Sequence, residues 1–152
     1  MSAHSPFVSF APVFEADFEQ LADLRSAAMK ESLERVGRFD PERVRQRLRN
    51  SFAPAQTCFI VYETMIAGFY AVRPSPEGLH LDHLYIHPTL QNRGIGGAVL
   101  RRIIDDANSR NMPIFVGALK ESVSNRFYQR FGFSKSSESE WDIHYVRPPS
   151  KK

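Results

Sequence analysis

Apolar residues repeat along the chain at two different spacings, which predicts that helices and strands alternate. A spacing of three to four residues after Asp17 predicts a first helix that runs to about Val36. Asp17, with Gln20 three residues later, has the pattern of a capping box that closes the start of this helix. A second helix is predicted to begin at Pro41, because proline suits the first turn of a helix.

Runs rich in Ile, Val, Phe and Tyr predict the strands. The order along the chain is strand, two helices, three strands, helix, strand, helix and two strands, and the strands are predicted at 7–10, 57–63, 66–73, 79–87, 114–119, 133–137 and 141–146. This order predicts an α/β (α+β) domain with a mixed central sheet of about six to seven strands and about four helices on its two faces. Parallel pairing is expected around the two late helices, which end near Arg110 and Phe131.

Length and composition are those of an ordinary globular protein. The 152 residues are 42% hydrophobic and 24% charged, which predicts a single domain over 1–152 with a flexible tail at 148–152. No apolar run is long enough for a membrane helix, and the N-terminus lacks the order of a signal peptide. The single Cys58 allows neither an internal disulfide nor a thiolate metal site. We therefore expect a cytoplasmic protein without a membrane partner.

Positive charge is concentrated in the predicted second helix and the loop before it. Six arginines lie between residues 35 and 49, although the formal net charge of the whole chain is only +3. They form either a solvated helix face or, through the pair Arg43 and Arg47 or the pair Arg45 and Arg49, a recognition site for a carboxylate or phosphate. Phe39 is the single aromatic residue among these arginines, and the whole chain is only mildly basic, which argues against a nucleic-acid partner.

A glycine-rich loop at 91–97 joins a predicted strand to a predicted helix. Glycines at this position let backbone N–H groups approach an anion, and the helix dipole adds positive potential there. Two nucleotide motifs fail on spacing: no Gly-Lys-Ser/Thr follows, and Val99 stands where a dinucleotide fingerprint requires its third glycine. The loop is therefore either a phosphate site of another kind or a structural turn.

This loop is one half of a two-part pattern. Gln91, Gly94 and Gly96 match an acyl-CoA signature of Gln or Arg, two residues, Gly, one residue, and Gly or Ala. Further along, NRFYQRFGF places the aromatic pair Phe127 and Tyr128 shortly before a Gly-Phe step. In these motifs, and in its order of elements over nearly the whole length, the chain resembles the GNAT superfamily of N-acetyltransferases.

The resemblance implies acetyl-CoA as the acetyl donor and assigns it a binding site. In the family, the backbone of a splayed strand pairs with the pantetheine arm, and N–H groups of the glycine loop bind the pyrophosphate. Many members also carry an asparagine six or seven residues before the tyrosine, where this chain has Glu121 and Ser122. The residues assigned to the cofactor are Leu84, Tyr85, Ile86, Gln91, Asn92, Arg93, Gly94, Ile95, Gly96, Gly97, Ser122, Asn125 and Tyr128.

Catalytic roles follow from the same resemblance. The Tyr128 hydroxyl is the implied general acid for the departing thiolate, and a packed aromatic that only shapes the channel is its alternative. His80 occupies the position where histone-type members carry a catalytic glutamate, and Asp82 lies two residues further on the same face. Either residue is a candidate general base, directly or through a water. His83 alternates to the other face and is expected to be structural or exposed.

Two function classes remain open at this point. The first is an N-acetyltransferase that moves acetyl from acetyl-CoA to a primary amine of a small molecule or peptide, by direct attack in a ternary complex. The second is a non-catalytic module that binds acyl-CoA or an acidic partner on the same scaffold. Tyr128 favours the enzyme, because a binding module needs no hydroxyl at the leaving group. No metal site is expected from five scattered histidines, and the oligomeric state stays open, with a homodimer among the alternatives.

Overall fold

The computed structural model describes residues 7–150. Within these residues the chain forms seven strands and four α-helices, with short 3-10 helices at Glu15–Asp17, Pro54–Gln56 and Pro88–Leu90. The strands are β1 (Val8–Pro12), β2 (Thr57–Tyr62), β3 (Met65–Ser75), β4 (Gly78–Ile86), β5 (Ile114–Leu119), β6 (Ser134–Glu138) and β7 (Asp142–Arg147). The helices are α1 (Phe18–Arg35), α2 (Pro41–Ser51), α3 (Ile95–Ser109) and α4 (Ser124–Arg130).

The strands form one mixed sheet in the order β1-β2-β3-β4-β5-β7-β6. The pair β4–β5 is parallel, whereas β1–β2, β2–β3, β5–β7 and β6–β7 are antiparallel. This is the predicted α/β class. The chain divides into two compact units, one with the residues up to Ala71 and His83–Leu100, the other with Val72–Asp82 and the residues from Arg101 on.

In the first unit, α1 and α2 bury their apolar faces in one cluster. Phe18 and Leu21 of α1, Leu48 of α2 and Phe69 of β3 are almost fully buried there. Burial of each such side chain contributes about 1.5–3 kcal/mol. The sheet and helices of this unit are therefore held together mainly by hydrophobic packing.

The starts of α1 and α2 differ in how well the sequence predicts them. Asp40 caps α2, because its Oδ1 accepts a hydrogen bond from the Glu42 amide at 3.1 Å. The predicted capping box of Asp17 with Gln20 is wrong. Asp17 instead ends the 3-10 helix, where its carboxylate accepts from the Phe14 amide at 2.8 Å and so satisfies a backbone donor at the start of that shorter helix.

The predicted strands at 57–63 and 66–73 form an antiparallel hairpin of β2 and β3. Its turn lies at Glu63 and Thr64, which both have positive φ, at 50° and 67°. Gly68 lies opposite Ile60 in this hairpin, beside a register shift between Ile60 and Val61. An added Cβ at Gly68 would lie 1.9 Å from the Tyr85 carbonyl oxygen, so the backbones of β3 and β4 approach each other here more closely than any other residue type permits.

In the second unit, β7 pairs with β5 over its whole length, from Ile114 opposite Arg147 to Leu119 opposite Asp142. The expectation of parallel pairing around both late helices holds for α3, which joins β4 to β5, and is wrong for α4. The strand that follows α4, β6, does not lie beside β5. The position next to β5 is occupied by β7, and β6 therefore forms the edge of the sheet. Of the predicted tail at 148–152, residues 151 and 152 lie outside the described part, and the Ser150 amide donates to Asn108 Oδ1 at 2.9 Å.

Candidate active site

The residues predicted to bind cofactor or to catalyse fall into both compact units. The first unit contains the β4 end and the glycine loop, namely Leu84, Tyr85, Ile86, Gln91, Asn92, Arg93, Gly94, Ile95, Gly96 and Gly97. The second contains His80, Asp82, Ser122, Asn125 and Tyr128.

The end of β4 leaves its ladder with β5 early. Among the described residues the parallel pairing covers only Leu79–Leu81 of β4, although β4 continues to Ile86. Leu84, Tyr85 and Ile86 are half-buried. Their backbone therefore offers hydrogen-bonding groups that β5 does not use.

A side-chain hydrogen bond ties this strand end to the glycine loop. Gln91 Nε2 donates to the Ile86 carbonyl oxygen at 2.9 Å. Asn92 and Gly94 then take left-handed conformations, with φ of 65° and 81°, and α3 begins at Ile95. Such turns direct successive N–H groups to one side at a helix N-terminus, which is the usual geometry of an anion site. Arg93 is exposed beside it.

In the second unit, the two candidate bases have different environments. Asp82 is exposed and accepts two hydrogen bonds from Arg73, from Nε at 2.9 Å and from Nη2 at 3.3 Å. The hydrogen bond and the charge of Asp82 raise the pKa of the Arg73 guanidinium. His80 stacks on Phe115, with centroids 5.0 Å apart, and its Nε2 lies 3.0 Å from the Ser75 hydroxyl.

Tyr128 lies in an aromatic cluster and is 6% exposed. Its ring lies 5.2 Å from that of Phe127, 5.5 Å from that of Phe133 and 6.4 Å from that of Tyr145. The ring is therefore held rigidly by neighbours from α4, the loop after it and β7. This packing is compatible with both roles that the sequence leaves open for Tyr128.

The first turn of α4 and the loop before it contain one fully hydrogen-bonded side chain and one buried hydroxyl without a partner. Asn125 Nδ2 donates to the carbonyls of Leu119 and Ser122, both at 3.0 Å, and its Oδ1 accepts from the Tyr145 hydroxyl at 2.7 Å. Asn125 thus fixes the loop between β5 and α4. The Ser122 hydroxyl is buried and has no hydrogen-bond partner among the described residues. Such groups usually find a partner, so this oxygen requires an explanation.

One family model matches most of the chain. Residues 26–145 match the model of the acetyltransferase (GNAT) domain family. The chain belongs to the GNAT acetyltransferase family. It is an acyltransferase, as Tyr128 and the glycine loop led us to expect. No curated protein sequence matches it significantly.

Solved structures of other acetyltransferases share the fold. The PaiA N-acetyltransferase from Thermoplasma acidophilum, solved with coenzyme A, has a TM-score of 0.76 at 14% identity and covers 93% of this chain and 99% of its own. The ribosomal-protein-S18-alanine N-acetyltransferase from Escherichia coli has a TM-score of 0.70 at 13% identity, with 95% of each chain covered. N-acetylglutamate synthase from Neisseria gonorrhoeae, solved with coenzyme A and N-acetyl-glutamate, has a TM-score of 0.66 at 20% identity, covering 95% of this chain and 35% of its own.

The arginines of α2 in this acetyltransferase are partly used within the fold. Arg45 donates to both carboxylate oxygens of Glu19, and Arg49 Nη1 donates to Glu15 at 2.7 Å. The Arg45 hydrogen bond lowers the pKa of Glu19. Arg49 also lies over the Phe18 ring, 3.8 Å from its centroid. The pair Arg45 and Arg49 therefore ties α2 to the start of α1.

Sequence reasoning missed a polar chain within the first unit. Arg25 of α1, Tyr85 and His83 of β4, and Ser51 of α2 follow one another through hydrogen bonds of 3.1–3.3 Å. His83 is thus part of a network and is half-buried. One signal could have found Arg25, because it stands four residues after Leu21, inside the apolar stripe of the predicted helix.

No group of three or more His, Cys, Asp or Glu residues in the range 7–150 could hold a metal ion. Within the same range, no helix is long and apolar enough to cross a membrane.

Proposed function

We propose that this acetyltransferase transfers acetyl from acetyl-CoA to the primary amine of a small molecule or peptide, by direct attack within a ternary complex. The observation that carries the proposal is the continuous segment from Leu84 to Gly97. Gln91 fixes a strand end that is not paired with β5 to a left-handed turn that opens α3. This segment combines backbone groups for an amide-containing arm with an N-terminal anion site.

Acetyl-CoA fits these residues at three points. The backbone of Leu84, Tyr85 and Ile86 would hold the pantetheine arm, and the N–H groups from Asn92 to Gly97 would bind the pyrophosphate, with exposed Arg93 as a charge partner. Ser122 is assigned to the cofactor on the resemblance to the family alone, and its hydroxyl has no hydrogen-bond partner among the described residues. Asn125 contributes indirectly, because its amide is already saturated and holds the Ser122 loop.

The chemical step needs a neutral amine and a proton for the leaving thiolate. Acetyl-CoA supplies the activated acyl group. We assign the proton donor to Tyr128, whose ring is fixed by its aromatic neighbours. The Leu84 amide is assigned to the developing oxyanion, because a backbone donor stabilises it without reorganisation.

Of the two candidate bases, we favour His80. Both carboxylate oxygens of Asp82 accept hydrogen bonds from Arg73. Among the described residues, the Nδ1 of His80 has no hydrogen-bond partner, while Nε2 meets the Ser75 hydroxyl. That hydroxyl lies 3.3 Å from the Gly78 carbonyl, to which it can donate its single proton, so that His80 donates through Nε2 and keeps Nδ1 as the proton acceptor.

Two measurements test the proposal. Acetyl-CoA should raise the melting temperature, because a ligand that binds only the native state stabilises it, whereas NAD should not. Incubation with acetyl-CoA and a panel of amines should release free thiol for at least one amine. Absence of both effects would refute the proposal, and a thermal shift without thiol release from any amine would favour the non-catalytic module.

A further inference from the structure

Arg25 is an arginine on the face of α1 that packs against the sheet. It is only 8% exposed and is surrounded by α1, α2 and β4. Its Nη1 donates to the Val44 carbonyl at 2.8 Å, and its Nε donates to the Tyr85 hydroxyl at 3.1 Å. The Tyr85 ring also lies 5.6 Å from the guanidinium carbon. Every one of these contacts is to a neutral group.

Within residues 7–150, no acidic side chain balances the charge of Arg25. Among these residues Arg25 has no carboxylate within ion-pair distance, and its Nη2 has no hydrogen-bond acceptor. By contrast, Arg45 and Arg49, whose side chains are 40% and 41% exposed, both have glutamate partners. A buried charge is usually paired, since removing it from water is strongly unfavourable. An anion carried by a ligand would therefore be a suitable partner for Arg25.

Three further polar groups extend from Arg25 toward the surface. The Tyr85 hydroxyl, which accepts from Arg25, lies 3.3 Å from His83 Nδ1. The other ring nitrogen of His83, Nε2, lies 3.2 Å from the Ser51 hydroxyl. Ser51 itself is exposed. The chain of groups therefore runs from a buried cation to a solvent-accessible hydroxyl.

We propose that Arg25, with Tyr85, His83 and Ser51 beside it, binds a carboxylate carried by the amine acceptor. The acceptor would then be an amino acid or a similar small amine. This inference rests on the proposed acetyl transfer, whose acceptor it specifies. A carboxylate fits better than a phosphate dianion, since one guanidinium without a second cation balances a single negative charge.

Tyr85 connects this site to the proposed chemistry. Its hydroxyl touches Arg25, while its backbone belongs to the β4 segment assigned to the pantetheine arm. An acceptor held by Arg25 is consequently held against the same strand. Arg25 thus becomes a specificity residue, with no part in proton transfer.

The test measures acetyl transfer to a panel of amino acids and to the carboxamide of each amino acid. Three proteins are compared: the wild type, Arg25→Met and Lys30→Gln. Methionine has a similar length and removes the unpaired charge, so Arg25→Met should fold and melt at or above the wild-type temperature. Lys30 is exposed on the same helix and is the matched control. The wild type and Lys30→Gln should prefer the acid by about tenfold or more in kcat/KM, as expected for one charge-assisted hydrogen bond, and Arg25→Met should lose this preference.

Equal use of acid and carboxamide by the wild type would overturn the inference, as would an unchanged preference in Arg25→Met. Neither result would contradict the proposed function. That proposal fails only if acetyl-CoA does not bind and no amine causes release of thiol from it. If no acceptor turns over, calorimetric titration with the free amino acids decides the point. Binding of an acid that is lost in Arg25→Met supports the site, and no binding of any acid to the wild type overturns it.

Discussion

Gly68 of β3 and Tyr85 of β4 are in backbone contact so close that a Cβ on Gly68 would lie 1.9 Å from the Tyr85 carbonyl oxygen and 3.1 Å from the Ile86 Cα. The close approach fixes the start of the β4 segment that we assign to acetyl-CoA. The His87 amide, which donates to the Ala67 carbonyl at 2.8 Å, holds the end of the same segment. Small changes at Gly68 should therefore affect both stability and cofactor binding.

Gly68→Ala should destabilise the protein by about 1–3 kcal/mol, the usual cost of overpacking, because the backbone of Tyr85 must move. Urea unfolding measures the loss, and acetyl-CoA affinity should fall with it. Gly117→Ala on β5 is the control, since the nearest atom to its new Cβ lies at an ordinary 3.4 Å. Equal stability of the two variants would contradict the close approach.

Gly96→Asp should abolish the thermal shift caused by acetyl-CoA, because a carboxylate would compete with the pyrophosphate at the start of α3. An acidic residue in the first turn favours the helix, so the variant should fold. Gly96→Ala adds the Cβ without the charge and should retain part of the shift. A full shift in Gly96→Asp would place the phosphates elsewhere.

Tyr128→Phe should lower kcat by about a hundredfold, the size typical of a lost general acid, with little change in acetyl-CoA affinity. Phenylalanine fits the same aromatic cluster, so stability should change little. Tyr145→Phe is the comparison: it leaves Asn125 Oδ1 without its donor and should lower stability by about 1–3 kcal/mol. If Tyr128→Phe keeps the wild-type rate, Tyr128 is only a packing residue.

His80→Gln should lower kcat by about a hundredfold with little change in acetyl-CoA affinity, because the glutamine side chain has no basic nitrogen to accept the proton of the attacking amine. Asp82→Asn should keep a rate close to that of the wild type, since both carboxylate oxygens of Asp82 are engaged by Arg73. Steady-state rates of the wild type and both variants distinguish the two. The opposite pattern would identify Asp82 as the base.

The ion pair of Glu19 with Arg45 should contribute pH-dependent stability. Because the folded-state pKa of Glu19 is lowered, the contribution is present above the ordinary pKa of the carboxyl and disappears as the pH falls through the lowered value. Glu19→Gln should thus melt slightly below the wild type at neutral pH and together with it at strongly acidic pH. High salt should shrink the neutral-pH difference, and a difference that persists in acid would exclude this cause.

Local pattern alone determined most of the elements. The proline at position 41 located the start of α2, and the run at 114–119 coincides with β5. The glycine loop and Tyr128 were readable because their motifs occupy short stretches of sequence. Such features depend on neighbours a few residues apart, which a sequence displays directly.

The tertiary structure decided which distant residues meet. It inserted β7 beside β5, engaged Asp82 with Arg73, and joined Arg25 to Tyr85 across 60 residues of sequence. No periodicity encodes these partners, because strand order and side-chain pairing depend on how the whole core packs. The buried, unbalanced charge of Arg25 becomes visible only when α1, α2 and β4 are brought together, since burial and missing partners are properties of the folded chain.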